Sequence, residues 1–286
     1  MPTPSPHLPP ERSTPERSTN ERSTKEESTP DGSVPEARAV GGPAAGGLRI
    51  IRNNTRDTTT TDWATSRHSF SFGDHYDPDN THFGTLLVNN EEFVSPGRGF
   101  DTHPHRETEI ITWVTEGSLV HQDSEGHSGI IHPGLAQRMS AGTGIAHSER
   151  NDSTAGLREP VRFTAMWIAP DESGAAPSYA QQDVSGELAR GGLVAVASGD
   201  PAHDSAIRIA NRSATLFAAR LPAGVSATLP AARLTHLFLT TGSVRRAGAV
   251  LGAGDAVRAG DVGGESITAI SDAEVLVWAM NRRLGE

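Results

Sequence analysis

The chain has 286 residues, with 35 Asp and Glu against 25 Lys and Arg and no cysteine. Its formal charge of -10 repels phosphate backbones and anionic lipid, which argues against direct nucleic-acid contact, and the absence of thiols excludes disulfides, thiolate metal sites and cysteine nucleophiles. No apolar run approaches the roughly 20 residues that span a bilayer and the N-terminus lacks the apolar core of a secretory signal, so a soluble cytoplasmic protein without membrane contact is the expectation. A monomer is expected.

Residues 1–46 repeat ERST at 11–14, 16–19 and 21–24 and offer almost nothing to bury, so they read as a disordered low-complexity tail ending in a Gly-rich joint. From "LRIIRNN" onward the texture changes to short apolar or alternating runs, among them "FGTLLVNN", "TEIITWVTEGSLVHQD", "SGIIHPG", "VRFTAMWIAP", "GLVAVAS", "ATLFAARLP", "THLFLTTGSV" and "EVLVWAMN". Glycine, proline and Asn/Asp clusters separate them at close intervals, which predicts an all-β chain in a sandwich or barrel. Only "YAQQDVSGELARGG" (179–192) suits one short helix.

"ITWVTEGSLV" (111–120) and "HLFLTTGSVR" (236–245) share a hydrophobic strand, a threonine, a variable residue and Gly-Ser, and each precedes a Gly-rich run by about ten residues. The echo predicts a duplicated β-domain with a boundary near "APDESGAAPS" (169–178), giving an N-terminal domain over 47–170 and a C-terminal one over 171–286.

Side chains alternate faces along a strand, so His103 and His105 of "FDTHPH" project together while Pro104 points the other way. "GTGIAHSERN" (142–151) places His147 and Glu149 in the same relation. If both strands line one small barrel, three imidazoles and a carboxylate converge, a donor set suited to a divalent first-row metal with positions left open. Each pair has a plainer reading beside this one. Among 12 histidines a close pair arises by chance, and Glu149 next to Arg150 is also a surface ion pair in waiting. His68, His75, His82, His121, His127 and His132 read as surface or hydrogen-bonded core residues. "GTGIAH" fails as a dinucleotide loop, since His147 stands where the third glycine belongs, and neither a G-x-S-x-G elbow nor a phosphate loop is present.

"GRGFDTHPH" fits the first cupin pattern, G-x5-H-x-H, with Glu109 beyond it, and "GTGIAHSERN" fits the second, G-x2-H-x3-N, through Gly144, His147 and Asn151. The whole stretch from "FDTHPHRETEIITW" to "AHSERN", with "RHSFSFGDHYDP" upstream, resembles the pirin family, densely from about residue 62 to 170 and thinly thereafter. The resemblance implies a bicupin, two tandem jelly-roll barrels, with one metal in the N-terminal barrel held by His103, His105, His147 and Glu149. Fe(II) is the first expectation for that ion, and Mn, Ni, Cu and Zn tolerate the same donors. Glu109, in a slot that many other cupins use, is left out of the ligand set. Shifting His103 and His105 by the 125-residue offset lands on Thr228 and Pro230, so the C-terminal barrel is expected to lack ligands.

Some pirins resemble quercetin 2,3-dioxygenases, which implies a metal-dependent oxidoreductase acting on a flavonol or similar aromatic enol with dioxygen, Glu149 serving as ligand and base. The alternative is a non-enzymatic metal or redox sensor that binds a regulatory protein partner. A sugar-modifying cupin has no supporting residue beyond the fold.

Overall fold

The computed structural model describes residues 47–153 and 159–286 and is built almost wholly of strands. The tail expected over 1–46 lies outside the described residues. In chain order the first half holds β1 (Leu48–Ile51), β2 (Asp57–Thr60), β3 (Ala64–His68), β4 (Leu86–Val94), β5 (Gly99–His105), β6 (Glu109–Glu116), β7 (Leu119–Asp123), β8 (Ser128–Ile131), β9 (Leu135–Ser140), β10 (Ile145–Asn151), β11 (Val161–Ile168) and β12 (Ser178–Asp183). After the helix α1 (Ser185–Ala189) come β13 (Val194–Ser198), β14 (Ile207–Arg208), β15 (Ala214–Leu221), β16 (Ser226–Thr228), β17 (Ala232–Thr241), β18 (Ser243–Arg246), β19 (Ala249–Gly252), β20 (Ala256–Val262), β21 (Ser266–Ala269) and β22 (Ala273–Met280).

Two barrels result, each a seven-stranded sheet faced by a four-stranded one. In the first, β12-β9-β6-β11-β4-β3-β2 faces β5-β10-β7-β8; in the second, β1-β20-β17-β22-β15-β13-β14 faces β16-β21-β18-β19. The strand orders match, as duplication predicts, except at one edge of the large sheets, where β2 is antiparallel to β3 and β14 is parallel to β13. The echoed glycines keep equivalent roles. Gly117 and Gly242 both adopt positive φ, and a Cβ at either would strike the backbone leading into the barrel's last long strand, Pro160 in one case and Asp272 in the other.

The predicted cut between 170 and 171 is crossed in both directions. β1 pairs with β20 of the second barrel, and β12 pairs with β9 of the first. Each barrel thus lends the other an edge strand, which covers backbone groups that an open sheet would leave unpaired. The short helix expected over 179–192 is confined to Ser185–Ala189, because the residues before it are drawn into β12, where Tyr179 stands opposite Met139 and Gln181 opposite Gln137.

Alternation along the strands fills each barrel and builds a core between them. Phe163, Val114, Leu119 and Ile131 fill the first barrel, and Leu237, Val275, Val277 and Ile267 fill the second. The opposite faces of the two seven-stranded sheets meet through Phe70, Leu86, Ile111, Trp113, Met166, Phe238, Trp278 and Met280, which form the inter-barrel core. Trp113 Nε1 donates to Glu274 Oε1 across that seam (2.9 Å), so the buried indole is satisfied by the other barrel. Among the described residues no helix is long and apolar enough to cross a membrane.

Candidate metal centre

β5 and β10 are antiparallel neighbours in the four-stranded sheet of the first barrel, with His147 opposite His103 and Ile145 opposite His105. The register slips between His147 and Glu149, so three residues of β5 span what two residues of β10 span; the bulge lets the two strands bend round the site. Pro104 points outward and is exposed, whereas His105 and His147 are buried. The ring centroids of His103, His105 and His147 lie 4.6 to 4.9 Å apart, and their ligating nitrogens all fall within 4.8 Å of one another.

Burial holds these imidazoles neutral. It pulls all three below the usual histidine range, His105 to about 3, with the neighbouring rings adding repulsion at His105 and His147. A neutral imidazole has one lone pair to give. His103 Nδ1 lies 2.7 Å from the Asp101 carbonyl, which makes Nδ1 the N–H and leaves Nε2 as the donor atom. His105 Nδ1 and His147 Nε2 are buried with no protein partner. Buried polar atoms are ordinarily satisfied, and three converging neutral imidazoles fit a divalent cation.

Glu149 faces the same interior as His147, one alternation further along β10, and is buried. Thr112 Oγ1 on β6 donates to its Oε1 at 3.2 Å, and burial pushes its carboxyl up to about 7. The group of ligating atoms that all lie within 4.8 Å of one another comprises the three histidines without Glu149. Glu109 is committed elsewhere: its Oε2 accepts from Ser140 Oγ (2.9 Å) and the Ala210 amide (3.1 Å), on the inter-barrel face of β6 that Ile111 and Trp113 share.

Near the histidines stand Trp167, Phe72 and Asp123, which the sequence reading did not single out, and His68 and His121, which it read as surface or hydrogen-bonded core residues and which are buried. The Trp167 ring meets His105 edge-on at 4.9 Å, Phe72 meets Trp167 at 5.6 Å, and His68 stacks on Phe72 at 5.1 Å, forming an aromatic wall beside the cluster. On the other side His121, fully buried on β7, lies 3.3 Å from His147 through their Nδ1 atoms and 3.2 Å from Asp123 Oδ2 through its Nε2. His121 and Asp123 stand two apart, the spacing that singled out His103 and His105, so alternation applied to "HQD" would have found them. No comparable signal marks Phe72 or Trp167, which reach the site from other strands and loops.

The second barrel carries different side chains at the equivalent register. Leu229 stands for His103, Glu265 for His147 and Ile267 for Glu149, as the pairings of β16, β18 and β21 show. Arg246, the counterpart of His121, binds Glu265 through its NH2 at 2.9 Å, and Leu229 and Ile267 belong to the apolar fill.

Residues 51–168 match the pirin family, and 195–280 match the quercetinase C-terminal cupin domain. A Mycobacterium tuberculosis protein with the name "Putative quercetin 2,3-dioxygenase" is 54% identical over 240 residues, 84% of this chain and 97% of its own length. The chain belongs to the pirin family. A solved pirin from Escherichia coli, in complex with nickel(II), superposes with a TM-score of 0.74 at 33% identity, covering 82% of this chain and 99% of that one. An Escherichia coli protein named quercetin 2,3-dioxygenase is 42% identical over 135 residues, 47% of this chain and 57% of its own. The two matches cover both barrels, and the cluster of three histidines lies in the first.

Proposed function

We propose that this pirin is a metal-dependent dioxygenase of the quercetin 2,3-dioxygenase type, acting on a flavonol or a similar aromatic enol. The observation that carries the reading is the convergence of three neutral imidazoles inside the first barrel, with a buried carboxylate and an aromatic wall beside them. The names of the Mycobacterium tuberculosis and Escherichia coli relatives point the same way.

His103, His105, His147 and Glu149 are the proposed ligands of one divalent ion, with Fe(II) preferred and Mn, Ni, Cu or Zn suited to the same donors. When bound, the ion supplies Lewis acidity toward the substrate's enol oxygen and a site for dioxygen chemistry. The protein's own residues do the rest. Glu149 is the group placed to accept the enol proton, and the Thr112 hydroxyl keeps the carboxylate aimed. Trp167 and Phe72 offer ring faces and edges on which a planar aromatic substrate stacks. The C-terminal barrel, with Leu229, Glu265 and Ile267 at the ligand positions, is read as structural, its role being to cover one face of the first barrel.

Oxygen uptake with quercetin tests this, using protein loaded anaerobically with Fe(II). Uptake by the wild type is expected to vanish in His105→Ala, which loses the metal, and to fall by about 100-fold or more in Glu149→Gln, which keeps much of the metal and loses the base. No uptake from fully loaded wild type overturns the dioxygenase reading and favours a metal-sensing pirin that acts through a protein partner. Full activity in Glu149→Gln overturns the base assignment alone.

A further inference from the structure

The side chains behind His147 form a directed chain. Asp123 closes the turn between β7 and β8: its Oδ1 accepts the backbone N–H groups of Glu125 (3.0 Å) and His127 (2.9 Å), and His127 Nδ1 sits 3.0 Å from Oδ2. The same Oδ2 faces His121 Nε2 at 3.2 Å, and the side chains of both Asp123 and His121 are closed off from solvent. His121 Nδ1 in turn faces His147 Nδ1 at 3.3 Å. Tyr179 on β12 lies between the two outer rings, stacked on His121 at 4.9 Å and on His127 at 5.4 Å, which fixes the plane of His121.

An ionised carboxylate only accepts hydrogen bonds, so His121 Nε2 must carry the proton of the Asp123 contact. In a neutral ring that leaves His121 Nδ1 as an acceptor, and the 3.3 Å contact is then made by the N–H of His147 Nδ1. The lone pair of His147 is thereby confined to Nε2, the atom that is buried without a protein partner. Reversing the chain would put the proton on His147 Nε2 and block ligation.

We propose that Asp123 and His121 are positioning residues that set the tautomer of His147 and so present its Nε2 to the metal. The inference rests on His147 being a ligand, the reading given under the proposed function. Partners one step behind the ligands commonly govern metal affinity by fixing the ligand's tautomer and ring orientation.

The decisive variant is Asp123→Asn. Its amide oxygen still serves the turn, but its NH2 donates into His121 Nε2, which forces the proton to His121 Nδ1 and then to His147 Nε2. Long-range 1H–15N correlation spectra of the full-length, metal-free chain read the tautomers directly, and Zn(II) titration reads the affinity. In wild type His147 is expected as the Nδ1–H form; in Asp123→Asn it is expected to shift to Nε2–H, with Zn(II) affinity lower by about 10- to 100-fold. His121→Phe, which keeps the ring against Tyr179 and deletes the chain, is expected to leave His147 a mixture of tautomers with an intermediate loss. The proposal is overturned if wild-type His147 carries its proton on Nε2, a result that needs no variant to fold, or if Asp123→Asn is folded and binds Zn(II) as wild type does. A tautomer switch in a chain that takes up no Zn(II) in either form keeps the relay and overturns the metal reading instead.

Discussion

A single buried carboxyl on β4 illustrates how the interior of the first barrel tunes its side chains. Glu92 faces the barrel and accepts a hydrogen bond from Ser66 Oγ; burial raises its carboxyl to about 7, the Ser66 bond pulls the other way, and the nearby Glu149 charge adds to the rise. Between about pH 4.5 and 7 the folded chain holds a proton that the unfolded chain has released, so stability is greatest below 4.5 and is lost as pH rises through 7. Glu92→Gln removes that loss while keeping an acceptor for Ser66. Urea denaturation of the metal-free chain is expected to show the variant more stable than wild type by on the order of 2 kcal/mol at pH 8 and nearly equal to it at pH 4.5. The clustered histidines were legible one residue at a time because strand alternation is a local rule. Glu92 was not, since nothing in "NNEEFV" tells which of two adjacent glutamates turns inward; a bulge where Leu86 and Val88 pair with Ile168 and Trp167 decides it.

At the scale of elements, the site depends on how closely β5 and β10 approach. Gly99 pairs with Arg150, and a Cβ there would collide with the Glu149 carbonyl and lie 2.6 Å from Arg150 Cα, contacts with backbone that no rotamer relieves. Gly99→Ala is therefore expected to push β5 outward and separate His103 from His147 without altering a ligand. The expected outcome is a destabilisation of about 1 to 3 kcal/mol together with weaker Zn(II) binding, measured by thermal unfolding and by titration on the same sample; unchanged affinity would show that the bulge absorbs the methyl group. Element types were readable wherever β-branched and aromatic residues alternate, as in β6, β11, β17 and β22. β20 was hidden in "LGAGDAVRAGDVGG", whose glycines and alanines mask its alternation, although it is a central strand between β1 and β17.

The whole molecule is held together at the seam by charge as well as by apolar packing. Arg56, on the link between β1 and β2, has a fully buried side chain that donates through NH1 to Gly254 O of the second barrel (3.2 Å) and to Glu91 Oε2 of the first (3.4 Å), and through NH2 to Arg67 O (2.5 Å). Burial lowers its guanidinium to about 10, still charged at neutral pH, with Glu91 opposing the fall. Arg56→Ala leaves a void and two unanswered carbonyls, while Glu91 keeps Arg162 at 3.0 Å through Nε. A loss of about 2 to 3 kcal/mol is expected, seen as a fall in Tm of roughly 5 to 10 °C, with Zn(II) stoichiometry unchanged because the histidines lie on the far side of the barrel wall.

By itself the sequence determined what local rules encode: an all-β chain, a duplication, and two histidine-bearing strands whose alternation aims His103, His105, His147 and Glu149 to one side. Those follow from composition, period-two patterning and repeated turn chemistry, which act over a few residues. Only the tertiary structure decided that β1 and β12 exchange barrels, that Glu109 turns to the seam while Glu149 stays inside, and that Asp123 and His121 stand behind His147. Each depends on which strands become neighbours and in what register, and register is set by bulges, edge pairing and the packing of two sheets against each other, contacts between residues far apart in the chain.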